Sequence, residues 1–183
     1  NLLGTVYRNG NLVFSPDGNS VLSPVGNKIS CFDLKNNNSS TLPIESRFNY
    51  TSVALSPNGV TLLAVNEDGE IHLISLISKT ILRKLRTNRV IKAIQFSPDG
   101  KYFAITKEFN AFVYRAPGPA SRDYGPFALE RVLKGAFDET TSIQWSDCSQ
   151  IVAVGSKDNT TRIYAIAKFR NLKVYCLGGH SEP

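Results

Sequence analysis

Short apolar runs alternate with turn-forming residues along the whole chain, and no long segment repeats its apolar residues at helical spacing. The runs Ala93–Phe96 and Tyr102–Ile105, rich in aromatic and β-branched residues, flank Ser97-Pro98-Asp99-Gly100. Proline supplies the φ that position i+1 of a type I turn needs. Asp or Asn accepts local backbone hydrogen bonds, and Gly takes the positive φ that closes the loop. The pattern predicts a β-hairpin. "FSPDG" at Phe14–Gly18 and "LSPNG" at Leu55–Gly59 predict two more.

These hairpins recur at a fixed period. The interval from Phe14 to Leu55 equals that from Leu55 to Phe96, about 41 positions. A degenerate copy follows at Trp145 in "IQWSDCS", after about eight additional residues. Each copy precedes a second apolar strand that carries a bulky residue: Phe32, Ile74, Tyr114 and Tyr164. A repeat of about 40–45 residues with four strands is the mark of a propeller blade. The expected fold is therefore all-β, a partial β-propeller of about four four-stranded blades. Their approximate limits are 8–46, 47–87, 88–136 and 137–178. Residues 1–7 read as a lone strand and 179–183 as the opening of another repeat. The sequence has no methionine, and with that unfinished repeat it reads as part of a longer chain.

Composition supports this reading. The chain has 183 residues, 42% of them hydrophobic, enough for a sizeable core. "FAI" and "IVAVG" are apolar at successive positions, which suits sheets covered on both faces.

"GSKDNTTRIY" (Gly155–Tyr164) resembles the second hairpin of a WD repeat, with Asp158 in the tight turn and Tyr164 in the tryptophan place. Asp68 in "NEDGEIHLI" takes the same turn position, whereas Gly26 and Glu108 replace the Asp in the other two blades. In that family a buried His-Ser-Trp-Asp tetrad braces each blade. Here Ser46, Thr87 and Ala136 occupy the His place and only His180 matches, so the resemblance implies that apolar packing of Phe32, Ile74, Tyr114 and Tyr164 carries more of the stability.

The resemblance is also more specific. "NLLGTVYRNGNLVFSPDG", "FAITKEFNAFVYRAPG" and "DETTSIQWSDCSQIVAVGSKD" are similar, in order and spacing, to the first propeller of a family of nucleolar WD-repeat subunits of the small-subunit processome. Members of that family carry two tandem propellers and a helical C-terminal region. The resemblance implies a non-enzymatic, cofactor-free scaffold in the nucleolus, acting in ribosomal RNA processing. Its partners would be other processome proteins and, directly or indirectly, precursor ribosomal RNA or small nucleolar RNA, with no membrane. Two alternatives share the propeller: a prolyl-peptidase-like hydrolase and a vesicle-coat subunit.

Charge adds a candidate contact. Lys and Arg number 21 against 15 Asp and Glu, a net charge of +6, which favours polyanionic surroundings. The densest run holds Lys79, Arg83, Lys84, Arg86, Arg89 and Lys92 without an acid. It reads either as a contact for RNA or an acidic partner, or as an outer strand protected by charge against edge pairing. The absence of interleaved aromatics favours the second reading over single-stranded RNA binding. Arg162, Lys168, Arg170 and Lys173 form a weaker cluster.

The extra residues fall in the proline- and glycine-rich stretch 116–126, which reads as a long loop: either a tolerated surface insertion, since long-loop entropy costs little, or a contact site whose candidate residues are Arg122, Asp123 and Tyr124.

Chemistry is otherwise sparse. Cys31, Cys148 and Cys176 are odd in number and widely spaced, without a C-x-x-C pair, and Cys31 reads as a buried small hydrophobe. His72 and His180 are too few for a histidine-rich metal site, and Gly100-Lys101 lacks the remainder of a P-loop. No catalytic, cofactor-binding or metal-binding residue is assigned.

Overall fold

A computed structural model of the chain describes residues 10–117, 127–167 and 174–181. It contains four antiparallel four-stranded sheets, each a meander in chain order. The chain divides into two compact units, Asn1–Val90 and Ile91–Pro183.

The first unit contains two sheets. One runs β1 (Val13–Phe14), β2 (Ser20–Val25), β3 (Lys28–Asp33), β4 (Asn38–Thr41). The other runs β5 (Tyr50–Leu55), β6 (Thr61–Asn66), β7 (Glu70–Ser75), β8 (Thr80–Arg86). Leu22 and Ile29 of the first sheet pack with Tyr50, Val53, Leu62 and Ile74 of the second to form the core of this unit. Pairing explains who shares the face: Leu62, Ile74 and Ile81 lie in one cross-strand row, as do Ala64, His72 and Lys84. Leu62, Leu63, Ala64 and Val65 are all fully buried, so both faces of β6 are covered, as its unbroken apolar run foretells.

The second unit repeats the plan. Its sheets are β9 (Ile91–Phe96), β10 (Tyr102–Lys107), β11 (Asn110–Arg115), β12 (Leu129–Leu133), and β13 (Thr140–Trp145), β14 (Ile151–Ser156), β15 (Thr160–Ala165), β16 (Tyr175–Gly178). Val113, Leu133, Trp145, Val152, Val154 and Tyr164 belong to its core. Phe103 is fully buried, with Tyr114 stacked on it at 5.2 Å and Phe127 meeting it edge-on at 5.8 Å.

Serine is the keystone of the repeated turn. In all four copies its backbone N–H donates to the carbonyl five residues on: Ser15 to Ser20, Ser56 to Thr61, Ser97 to Tyr102 and Ser146 to Ile151, at 2.8–3.0 Å. The serine Oγ accepts the return N–H from the same residue, at 2.9–3.1 Å. In three copies that hydroxyl also donates to the acid or amide two positions on, Asp17, Asn58 or Asp99. Glycine closes three of the turns at φ near 70°, and Ser149 takes that conformation in the fourth, at φ 57°. The hydrogen bonds from Ser15 and Asn19 lower the pKa of the exposed Asp17 carboxyl from 3.8 to about 2.

Side-chain amides fasten successive inner strands within each unit. Asn11 bonds both backbone groups of Val53, at 2.7 and 2.8 Å. Gln95 does similar work for β13, accepting from the Trp145 N–H at 3.2 Å through its side chain and from the indole at 3.3 Å through its carbonyl.

Two expectations about packing change. Ile74 and Tyr164 are buried in the cores of their units, but Phe32 and Tyr114 are only half-buried, because each lies on the opposite face of its sheet from the residues that enter its unit's core, Leu22 and Ile29 in one case and Ala104 and Val113 in the other. Cys31 is likewise half-buried, packed against the first unit's core rather than sealed within it. Residues 1–7 lie outside the described residues.

Candidate interaction surface

The basic run does not fold into one patch. Lys79 occupies the β7–β8 turn in the left-handed region, at φ 54°. Arg83, Lys84 and Arg86 lie on β8, the outer strand of its sheet, and are exposed. Arg89 follows in the loop, and Lys92 is on β9 in the other unit. Strand alternation then divides the three charges of β8. Lys84 and Arg86 share the face of His72 and Glu70, opposite which they pair, whereas Arg83 pairs with Leu73 on the other face. A bulge at Leu73/Ile74 shifts the register beside Leu82. β8 thus lies at the edge of its sheet, where both readings of the run place it.

Behind β8 lies a buried polar network invisible to the repeat pattern. His72 is fully buried; its Nδ1 is 2.7 Å from the Tyr50 hydroxyl and its Nε2 2.8 Å from Glu70 Oε2. An ionised carboxylate only accepts, so Nε2 carries the proton and Nδ1 accepts from Tyr50. Burial pushes the Tyr50 hydroxyl up to about 12 and so keeps it protonated. Nearby, Asn66 Nδ2 donates to Ser46 Oγ at 3.1 Å, both residues being buried. Asn66 Oδ1 also accepts from the N–H groups of Asp68 and Glu70, fixing the β6–β7 turn. To the apolar packing expected to carry more of the stability, the structure adds a polar network in this sheet. Ser46, in the family's His place, joins a different network, with the histidine moved onto β7.

Thr87 contributes as well, donating to the Gly69 carbonyl at 2.8 Å. Gly69 itself is obligatory: at φ 75°, a Cβ there would stand 1.9 Å from the Arg89 carbonyl oxygen.

His72 makes the stability of this sheet pH-dependent. Burial, assisted by the Lys84 charge, lowers its pKa below 6.5, against the pull of Glu70. Burial alone would raise the Glu70 carboxyl, but the His72 hydrogen bond and the Lys84 and Arg86 charges outweigh it and hold it below 4.5. As pH falls through 6.5 the unfolded chain takes up a proton that folded His72 resists, so stability declines. A further decline follows below 4.5, where unfolded Glu70 protonates first. Hydrogen exchange of the β7 amides, corrected for intrinsic rates, is expected to show falling protection between pH 7 and 5.5. His72→Gln should flatten that slope; an equally steep slope in the variant would assign the effect elsewhere.

In the second unit a buried ion pair holds the β14–β15 turn. Arg162 Nη1 lies 2.7 Å from Asp158 Oδ2, and both side chains are nearly buried. The Phe137 N–H and the Thr160 hydroxyl also donate to Asp158. Burial would raise this carboxyl, but the donors from Thr160, Phe137 and Arg162 hold it well below the usual range. Arg162 is thus a structural cation under the ring of Phe137, at 5.4 Å, and not part of a surface cluster. Asp68 does not repeat this role. It is exposed, and Asn66 performs the turn-holding instead. Lys168, Arg170 and Lys173, and the loop residues Arg122, Asp123 and Tyr124, lie outside the described residues. His180 lines a shallow polar hollow with Thr141, Ser142, Gly155, Ser156 and Asn159.

Comparison with known proteins places these sheets. Residues 127–165 match the family model described as WD domain, G-beta repeat. A chain in the crystal structure of the mitotic checkpoint complex superposes with a TM-score of 0.78, covering 94% of this chain and 50% of that one at 16% identity, which bears on fold alone. The chain is 45% identical over 182 residues to periodic tryptophan protein 2 homolog of Mus musculus. It is 40% identical to the Schizosaccharomyces pombe homolog and 37% identical to periodic tryptophan protein 2 of Saccharomyces cerevisiae, with all of this chain aligned in each case. It spans about a fifth of the length of these relatives. Over its entire length the chain is thus a homologue of periodic tryptophan protein 2, built with the fold of WD-repeat propeller blades.

Proposed function

We propose that the chain is a scaffold segment of a nucleolar protein of small-ribosomal-subunit biogenesis, acting in the processome that handles precursor ribosomal RNA. The observation that carries this reading is the alignment of the whole chain with periodic tryptophan protein 2. The physical character of the blades supports it. Their turns are closed by side-chain hydrogen bonds and their inner strands are tied by amide bridges, which makes rigid sheets suited to presenting loops and edges at fixed spacing. The role is geometric and non-catalytic: partner proteins dock on blade surfaces, and RNA is held by the assembly.

The test is recovery of the full-length protein from cells at moderate salt, with sequencing of bound RNA and identification of bound proteins. Enrichment of precursor ribosomal RNA and small nucleolar RNA is expected. A background of unrelated messages, or a vesicle-coat complex, would overturn the reading. A narrower result is also expected. Because β8 divides its cations between two faces, neutralising Arg83, Lys84 and Arg86 to Gln should leave the salt dependence of RNA association unchanged. A fall in the log–log slope of about 2–3 would instead place phosphates on this strand.

A further inference from the structure

β8 differs from the other outer strands among the described residues. It is seven residues long, against four for β4 and β16 and five for β12. β4 and β16 carry no charge, and β12 carries both signs in Glu130 and Arg131. β8 is solely cationic, and neither Arg83 nor Lys84 lies within salt-bridge distance of a carboxylate among the described residues. Arg86 reaches Glu70 only at 3.8 Å with its own side chain 63% exposed, while Glu70 is engaged by His72.

The outer edge of β8 has no strand partner in its sheet, so a row of backbone donors and acceptors faces outward. A phosphate backbone or a flat acidic surface meets cations gathered on one side. A strand added to the edge meets both sides, because its own side chains alternate with those of β8. Cations on both faces of one strand, with no aromatic residue from Leu76 to Lys92 on which a base could stack, favour the added strand. The same charges repel a second copy of β8.

We propose that the free edge of β8 is a strand-addition site for an extended acidic segment of a partner protein. The register on β8 specifies the segment's pattern. An antiparallel strand opposite Arg86, Leu85, Lys84 and Arg83 reads acidic, apolar, acidic, acidic; a parallel strand reads the reverse. Main-chain hydrogen bonds supply the attachment and the cross-strand charge pairs the selectivity. The site is independent of the ribosomal assignment, since it requires neither RNA nor the assembly.

The test uses the purified full-length protein and a synthetic capped peptide, Thr-Val-Glu-Val-Glu-Glu-Val-Thr, with its Gln-substituted counterpart as control. Fluorescence anisotropy should show the Glu peptide binding about tenfold more tightly than the Gln peptide, from three opposite-charge pairs. Triple substitution of Arg83, Lys84 and Arg86 to Gln should abolish that difference. The β8 amides that point away from β7 should gain hydrogen-exchange protection on binding, a response that side-chain contact alone does not give. Equal affinity for both peptides, unchanged protection of those amides, or displacement of the peptide by a short RNA duplex whose binding needs the same three cations would overturn the proposal. Failure here leaves the RNA-recovery experiment above unaffected, and the converse also holds.

Discussion

Asp158→Ala is expected to lower the stability of the β13–β16 sheet by about 3–5 kcal/mol, because it strands a buried cation. Arg162 would lose its 2.7 Å partner and keep only neutral ones, among them the Thr160 hydroxyl at 2.6 Å and the face of Phe137. The Phe137 N–H and the Thr160 hydroxyl would lose their acceptor in the same stroke. Asp68→Ala, at the equivalent turn position, should cost under about 0.5 kcal/mol, since an exposed side chain with no such duty is removed. Local opening free energies from native-state hydrogen exchange of the full-length protein would separate the two. Adding Arg162→Leu to Asp158→Ala should recover much of the loss, the uncompensated charge being gone. Equal effects at Asp158 and Asp68, or no recovery in the double variant, would refute this account of the turn.

Ile74→Ala is expected to cost about 2–5 kcal/mol in the β5–β8 sheet. Ile74 is fully buried, between Leu62 and Ile81 in its row and against the first sheet of its unit. The cavity would open where β-strands on two sides hold their spacing through backbone hydrogen bonds, so collapse around it is limited. Phe32→Ala, at the corresponding place in the β1–β4 sheet, should cost clearly less, because that ring is already half in water. Hydrogen exchange in the two sheets reads the difference directly; a larger loss at Phe32 would mean that this ring is covered in the full-length protein.

The elements most legible in the sequence were those whose causes are local. A Ser-Pro-Asp-Gly turn is closed by atoms within six residues of one another, so each hairpin could be read from its own few letters. The four-strand period followed from counting the copies. What escaped the reading depends on residues distant in sequence but adjacent in a ladder. Tyr50 and His72 meet because a bulge between Tyr50 and Ser52 sets Tyr50 opposite Asn66, on the face that Ala64 shares with His72, and nothing near either residue announces the other. The basic run looked continuous because consecutive letters conceal a period of two; on β8 it divides between faces, and its last lysine belongs to another unit. Arg162 looked like a surface charge until Asp158, four residues earlier across a turn, proved to be its buried partner. Some signal was available: an Asp followed by Thr and Arg at alternating positions places all three on one side of a strand start.

The serine-closed turns have a consequence for how the chain acquires its structure. Each one satisfies its own hydrogen bonds before any neighbouring sheet exists, so hairpin formation, on the order of microseconds, need not wait for distant segments. Loop-closure entropy is spent in small increments, one hairpin after another, as the polypeptide leaves the ribosome. A large β-protein of mostly local pairings can thereby assemble in the order of its synthesis.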